Sequence, residues 1–343
     1  MGGFAAVDVL DPERRLDRVI VRPRGGSPPG DSPVIVFVLG MGRSGTSALT
    51  RALSLCGGAL PATLVGADDS NQKGHWEPLN ALHLNDGFLT RHGSTWFDPT
   101  LRLQSEVVIS SAERDIFLDR IKAFLRALPP APLHIIKEPR ITALSDFWLD
   151  AARQTGFCPA AAIPVRHPEE VSASLTARYG MSSELASILW LKYNLLAERH
   201  SRDLPRVFVE YSNLLRDWRA ETSRIEAALS IDLSVRDEAA IDDFLSPTLQ
   251  RQHRGARTSR VFGEQWVSPV YAALSGAARD ESLDTSALDA IFDSYRACEH
   301  AVRISLDEFQ SRFLPAAAKA RPLITRLVNR LRAVARRASD ARH

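Results

Sequence analysis

Two clusters of residues in this chain have the types and spacing to hold an oxyanion. The first is Gly40-Met41-Gly42-Arg43-Ser44-Gly45-Thr46-Ser47. Its glycines let the backbone come close to a ligand, and the N–H groups of a helix start point outward without partners. Arg43 adds a fixed positive charge, and Ser44, Thr46 and Ser47 add hydroxyls. An apolar run, Val34-Ile35-Val36-Phe37-Val38-Leu39, leads into this turn, and Leu49, Ala52, Leu53 and Cys56 follow on one helical face. Buried strand, tight turn and helix start in that order suit a phosphate or sulfate ester. The second cluster starts at Arg166, after the apolar run Ala160 to Val165, and includes Pro168, Glu169, Glu170, Ser174 and Arg178. Pro168 suits a first helical position and the two glutamates suit the helix dipole. Arg166 therefore stands at a strand end beside a helix start. Ser174 and Arg178 share a helix face, so two guanidinium groups and a hydroxyl can surround one dianion. Pro164 lacks a ladder donor and predicts a short or bulged strand there.

Three chemistries compete for the first loop. A nucleotide-triphosphate P-loop needs Gly-x-x-x-x-Gly-Lys-Ser/Thr; Gly40 and Gly45 have the spacing, but Thr46 stands where the lysine that reaches the β- and γ-phosphates belongs. The dinucleotide fingerprint Gly-x-Gly-x-x-Gly is matched literally by Gly40, Gly42 and Gly45, but it also wants an acid at the end of a second strand. Asp68 and Asp69 come later than that, after a Gly-, Pro- and Ala-rich stretch. The third is the loop that holds the 5′-phosphate of an adenylyl sulfate. A strand–turn–helix without ligand is the plain alternative to all three.

Gly42-Arg43-Ser44-Gly45-Thr46-Ser47 resembles the 5′-phosphosulfate loop of sulfotransferases that use 3′-phosphoadenylyl sulfate (PAPS), in their carbohydrate- and protein-sulfating branch. Arg166 with Ser174 eight residues on resembles that family's 3′-phosphate motif, and Arg178 matches a second arginine of the protein-tyrosine branch. Lys137-Glu138-Pro139 looks like the family's Lys-Asp-Pro segment, with Glu138 in place of the aspartate. Glu210-Tyr211 resembles its Tyr-Glu-Asp-Leu strand end, although Ser212 and Asn213 replace the two acids. The resemblance implies a three-layer α/β/α fold with a central parallel sheet, P-loop-like as in sulfotransferases. It implies PAPS as donor and adenosine 3′,5′-bisphosphate (PAP) as product; a metal is not required, because the transferred sulfonate carries less charge than a terminal phosphate. Donor-binding residues would be Gly42, Arg43, Ser44, Gly45, Thr46, Ser47, Arg166, Ser174, Arg178 and Tyr211.

Sulfuryl transfer needs an acceptor in line with the leaving phosphate and stabilisation of the charge that grows there. Arg43, Lys137 and the Thr46 and Ser47 hydroxyls are candidates for that stabilisation. The acceptor must also lose a proton. Asn71-Gln72-Lys73-Gly74-His75-Trp76-Glu77-Pro78 looks like the Gly-Tyr-Trp-Glu segment of bacterial relatives, which makes Glu77 the leading general base; Asp68, Asp69, His75 and His83 are the alternatives. Trp76 could instead anchor a loop, with Glu77 capping the helix after Pro78. The acceptor expected is a small molecule or carbohydrate, with segments 60–110 and 179–190 lining its pocket.

The chain has 343 residues, enough for one large α/β domain with extensions. Its 43 basic residues nearly balance 41 acidic ones, which argues against a nucleic-acid partner. Cys56, Cys158 and Cys298 have no metal or pairing spacing and read as small core residues in a reducing compartment. Asp8, Asp11 and Glu13 interrupt any secretory core. Together with the high Ala and Arg content, this leads to the expectation of a cytoplasmic, bacterial protein.

The organisation read from composition is a flexible lead over 1–33, a catalytic domain over 34–310 and a basic amphipathic helix over 311–343. The apolar stripe of that last helix, Leu323 to Val334, suits packing or peripheral contact with an anionic membrane. Apolar spacing predicts helices over 112–128 (Ile116, Ile121, Phe124, Leu125, Leu128), 182–200 and 214–229. Arg251, His253, Arg254, Arg257 and Arg260 form a basic segment that suits either a solvated loop or a lid over the site.

Overall fold

The computed structural model describes residues 32–68, 71, 73–245 and 260–313. Residues 1–31 of the expected N-terminal lead, Asp69, the basic residues 251–257 and residues 314–343 of the expected C-terminal helix lie outside them. In chain order the elements are β1 (Val34–Val38), α1 (Thr46–Leu55), α2 (Leu79–Arg91), α3 (Arg102–Ser105), α4 (Ser111–Arg126) and β2 (Leu133–Ile136). A 3-10 turn (Pro139–Leu144) leads to α5 (Ser145–Gln154), β3 (Cys158–Val165), α6 (Pro168–Tyr179), α7 (Ser183–His200) and β4 (Arg206–Glu210). Then come α8 (Tyr211–Arg216), α9 (Trp218–Leu229), α10 (Glu238–Phe244), α11 (Val267–Ala277) and α12 (Thr285–Phe313).

The four strands form one parallel sheet in the order β2-β1-β3-β4. Both faces are covered, which is why the strands read as nearly continuous apolar runs. Val36, Val38, Ala160, Ala162, Val207 and Val209 pack with Leu49 and Leu53 of α1 and with α8, α9 and α10. The alternate residues Ile35, Phe37, Ile163 and Val165 pack under α2, α4, α5, α7, α11 and α12. This is the three-layer α/β architecture with a central parallel sheet that the sequence leads one to expect. The helix after β1 goes to one face, while α6 and α7, which follow β3, go to the other. The carboxyl ends of these adjacent strands therefore part and open a crevice, the usual ligand position in such sheets.

Pro164 does not shorten β3. Cys158 N–H reaches Pro33 O on the β1 side and Ala162 O accepts Leu39 N–H on the same side. By alternation Pro164 also faces that side, but β1 ends at Val38 and has turned away. Pro159 faces the other side, before β4 begins to pair at Ala161. Neither proline removes a donor that the sheet would use. Two helix expectations need correction. The segment 214–229 is two helices, α8 and α9, broken at Asp217, whose carboxylate accepts the Ala220 N–H at 3.0 Å and caps α9. In α4 the buried face is Phe117, Leu118, Ile121 and Leu125, whereas Ile116 is 54% exposed.

Candidate active site

The turn after β1 has a shape that only its own residue types permit. Gly45 has φ +93°, and a Cβ there would lie 2.2 Å from Cδ2 of Tyr211. A Cβ at Gly42 would lie 2.9 Å from the Trp96 ring. Arg43 itself is left-handed at φ 70°, a conformation that costs a non-glycine residue about 1–2 kcal/mol. Its carbonyl is held by the Arg166 Nη1 donor at 3.1 Å. The Gly40 N–H is tied to Thr142 Oγ1 at 2.9 Å. Helix α1 then starts at Thr46 with neither a side-chain cap nor an acid in its first turn. Its N-terminal N–H groups and dipole are open to an anion.

Helix α6 brings the second cluster to the first. His167 caps it, accepting the Glu169 N–H, with Pro168 in the first turn. Arg43 Nε donates to Ser174 Oγ at 3.0 Å across 131 residues of sequence. Arg166 is set by three contacts: Nε to Glu170 Oε2 at 2.8 Å, Nη1 to Arg43 O, and the Tyr211 ring 4.7 Å beneath its guanidinium. Tyr211 is thus wedged between Gly45 and Arg166. Three buried polar atoms around this junction have no hydrogen-bond partner among the described residues: Ser44 Oγ, Arg166 Nη2 and Arg178 Nη1. Unmade hydrogen bonds of this kind are costly, and all three groups can donate to an anion. Burial first, and then the positive charge of Arg178, with Arg166 adding to it, pushes the Arg43 guanidinium below its ordinary value. An anion bound here relieves that repulsion.

The end of β2 carries the third part. Lys137, 3% exposed, donates to Glu77 Oε1 at 2.6 Å and to His75 O at 2.9 Å. Ser47 Oγ donates to the same His75 carbonyl at 3.1 Å. The segment 73–77 is therefore fastened to both α1 and β2. Trp76, left-handed at φ 57°, lies under Arg51 at 4.4 Å and edge-on to Phe244, so it anchors this segment. Glu77 does not cap α2, which has no side-chain cap; its carboxylate turns to Lys137. Glu138, fully buried, accepts from Asn85 Nδ2 at 2.7 Å and from Arg140. Burial pushes its carboxyl up to about 7, against the opposing pull of Arg140.

Gly42, Arg43, Thr46, Ser47, Glu77, Lys137 and Arg178 line one cleft with Asp68, His75, Trp96, Arg140 and Tyr179; its empty space is about 740 Å³, counting the part open to solvent. Arg166 and Ser174 adjoin the cleft through their bonds to Arg43. Of the alternative bases, His75 and Asp68 face the cleft, while His83 is exposed on α2 and does not line it.

Sequence reasoning did not find Trp96, Arg140, the pairing of Arg166 with Glu170 or the pairing of Asp68 with Arg178. The i,i+4 spacing of Arg166 and Glu170 was a usable signal for one of them. Trp96 had none, because its place is decided by helices far along the chain. Lys192 Nζ donates to Asp98 O and Thr100 O at 2.8 and 2.6 Å, and Tyr193 OH donates to Trp96 O at 2.8 Å. These bonds hold the loop that lays Trp96 on Gly42.

No protein-family model and no curated protein sequence matches the chain. Among solved structures it is similar to the sulfotransferase domain from the Synechococcus PCC 7002 olefin synthase, at 18% identity and a TM-score of 0.41, covering 76% of this chain and 100% of that one. It is also similar to the sulfotransferase domain from the curacin biosynthetic pathway, at 13% identity and a TM-score of 0.41, covering 74% and 99%. A third is the sulfotransferase STF9 from Mycobacterium avium, at 16% identity and a TM-score of 0.39, covering 78% and 76%.

Proposed function

We propose that this protein is an enzyme that transfers a sulfonate from PAPS to the hydroxyl or amine of an acceptor, a carbohydrate or glycolipid by preference. The observation that carries this reading is the junction of the two oxyanion clusters. Arg43 bonds to Ser174 and Arg166 bonds to Arg43, while Ser44 Oγ, Arg166 Nη2 and Arg178 Nη1 keep buried polar atoms without partners among the described residues. Two adjacent anion cradles of unequal make suit a nucleotide with phosphates at both ends of its ribose. The donor supplies an activated sulfonate whose leaving group is the 5′-phosphate.

The chain's own residues divide the work. The turn from Gly42 to Ser47 and the start of α1 hold the 5′-phosphate. Arg166, Ser174 and Arg178 hold the 3′-phosphate, with Tyr211 keeping Arg166 in place. Lys137 spends two of its N–H donors on Glu77 and His75, and its third, with Arg43, meets the negative charge on the leaving oxygen. Glu77 takes the proton that the acceptor loses as its oxygen or nitrogen bonds to sulfur and the bond from sulfur to the phosphate oxygen breaks. A positioned base of this kind contributes ~10²–10⁴-fold.

Calorimetry with PAP, with ATP and magnesium, and with NAD tests the reading against a P-loop nucleotide kinase and a dinucleotide-binding protein. PAP binds tightly and loses that binding in Arg166→Ala. Equal binding of AMP and PAP, or magnesium-dependent ATP binding that exceeds PAP binding, overturns it.

A further inference from the structure

The arginine at the far end of the second cluster already has an anion beside it. Arg178 Nη2 donates to Asp68 Oδ2 at 3.4 Å, and His75 Nε2 meets the same oxygen at 3.0 Å. The other oxygen of Asp68 accepts the Asn71 N–H at 2.9 Å. The carboxylate is thus held from its own turn and from a histidine whose carbonyl is tied to Lys137 and Ser47. Arg178 Nη1 is buried and has no partner among the described residues, and Ser174 lies one turn back on α6. An anion that takes Nη1 therefore comes to rest next to a carboxylate that shares its guanidinium.

We propose that Asp68 is an internal competitor for the anion bound by Arg178, placed to weaken the hold on the 3′-phosphate and so to hasten release of the bisphosphate product. The inference rests on the reading of Arg166, Ser174 and Arg178 as the 3′-phosphate cradle. Asp68 is half exposed, so solvent screens part of its effect, but it draws on the same guanidinium charge that the bound anion needs. The residue acts through Arg178 and is a positioning residue, not a catalytic one.

The test is calorimetry of the full chain and of Asp68→Asn with PAP and with AMP, which differ only in the 3′-phosphate. Asparagine keeps the size of the side chain and the acceptor for the Asn71 N–H, and removes the charge. Removing a like charge beside the bound anion relieves a repulsion that solvent partly screens, so PAP binds the variant about tenfold or more tightly. AMP affinity shifts less than about threefold, as expected of screened charge alone. In stopped flow the PAP dissociation rate falls by a matching factor. Equal tightening of PAP and AMP, or unchanged or weaker PAP binding, overturns the inference. A wild-type protein that does not distinguish PAP from AMP overturns instead the assignment of the 3′-phosphate cradle.

Discussion

Replacing Arg166 with alanine removes a donor and uncovers an acid. In the folded protein Arg166 Nε neutralises Glu170 at 2.8 Å, Nη1 supports the Arg43 carbonyl, and Nη2 is the buried donor left for a ligand. One hydrogen bond between charged groups is worth ~1.5–3 kcal/mol. The alanine variant also leaves Glu170, 7% exposed, without its cation and close to the place proposed for the 3′-phosphate. That adds a like-charge penalty, and the sum is at least ~3 kcal/mol, or more than ~100-fold in Kd for PAP. The two contributions separate in a double-mutant cycle. Arg166→Ala combined with Glu170→Gln removes the bare carboxylate and regains about tenfold of the loss. Glu170→Gln alone leaves PAP binding within a few-fold of wild type, since a neutral acceptor still faces Nε, a change of about 1 kcal/mol at most. Calorimetry with PAP and AMP measures each corner, with circular dichroism to confirm folding. A loss below about threefold, or the same loss for AMP as for PAP, refutes the assignment.

Glu77→Gln keeps an oxygen for Lys137 and leaves PAP affinity nearly unchanged, while turnover of PAPS with an accepted acceptor falls at least ~100-fold; undiminished turnover moves the base to another residue, His75 first. Gly45→Ala places a Cβ 2.2 Å from Tyr211 at φ +93° and lowers the unfolding free energy by at least ~2 kcal/mol in urea titration; wild-type stability would mean the turn rearranges freely. The Glu138 carboxyl is raised from an ordinary 4.5 to about 7, so its folded form binds the proton more tightly than the unfolded chain does. The stability this contributes is full below about pH 4.5 and is lost as pH rises through about 7, on the order of 3 kcal/mol in all. Comparing urea unfolding of wild type and Glu138→Gln from pH 5 to 8 checks the sign, and a difference that does not change with pH refutes it.

The local parts of this protein were legible in its sequence. A strand, a glycine turn and an apolar helix face within residues 34–56 are short-range patterns, and the structure forms them as β1, the turn and α1. The placing of Arg166 at a strand end, with Ser174 and Arg178 on one helix, follows from a proline, two glutamates and helical spacing. Lys137 at the end of β2 was legible from the apolar run Leu133 to Ile136 that ends in a charged turn. What the sequence left open are contacts that depend on strand order and on which face each crossover takes. The Arg43–Ser174 bond exists because β1 and β3 are neighbours with helices sent to opposite faces. Trp96 meets Gly42 because Lys192 and Tyr193, on a helix packed under the sheet, hold its loop by backbone carbonyls that carry no sequence signal. Asp68 meets Arg178 from 110 residues away. Periodicity along the chain records which side of an element is buried; it does not record which other element does the burying, and only the assembled core decides that.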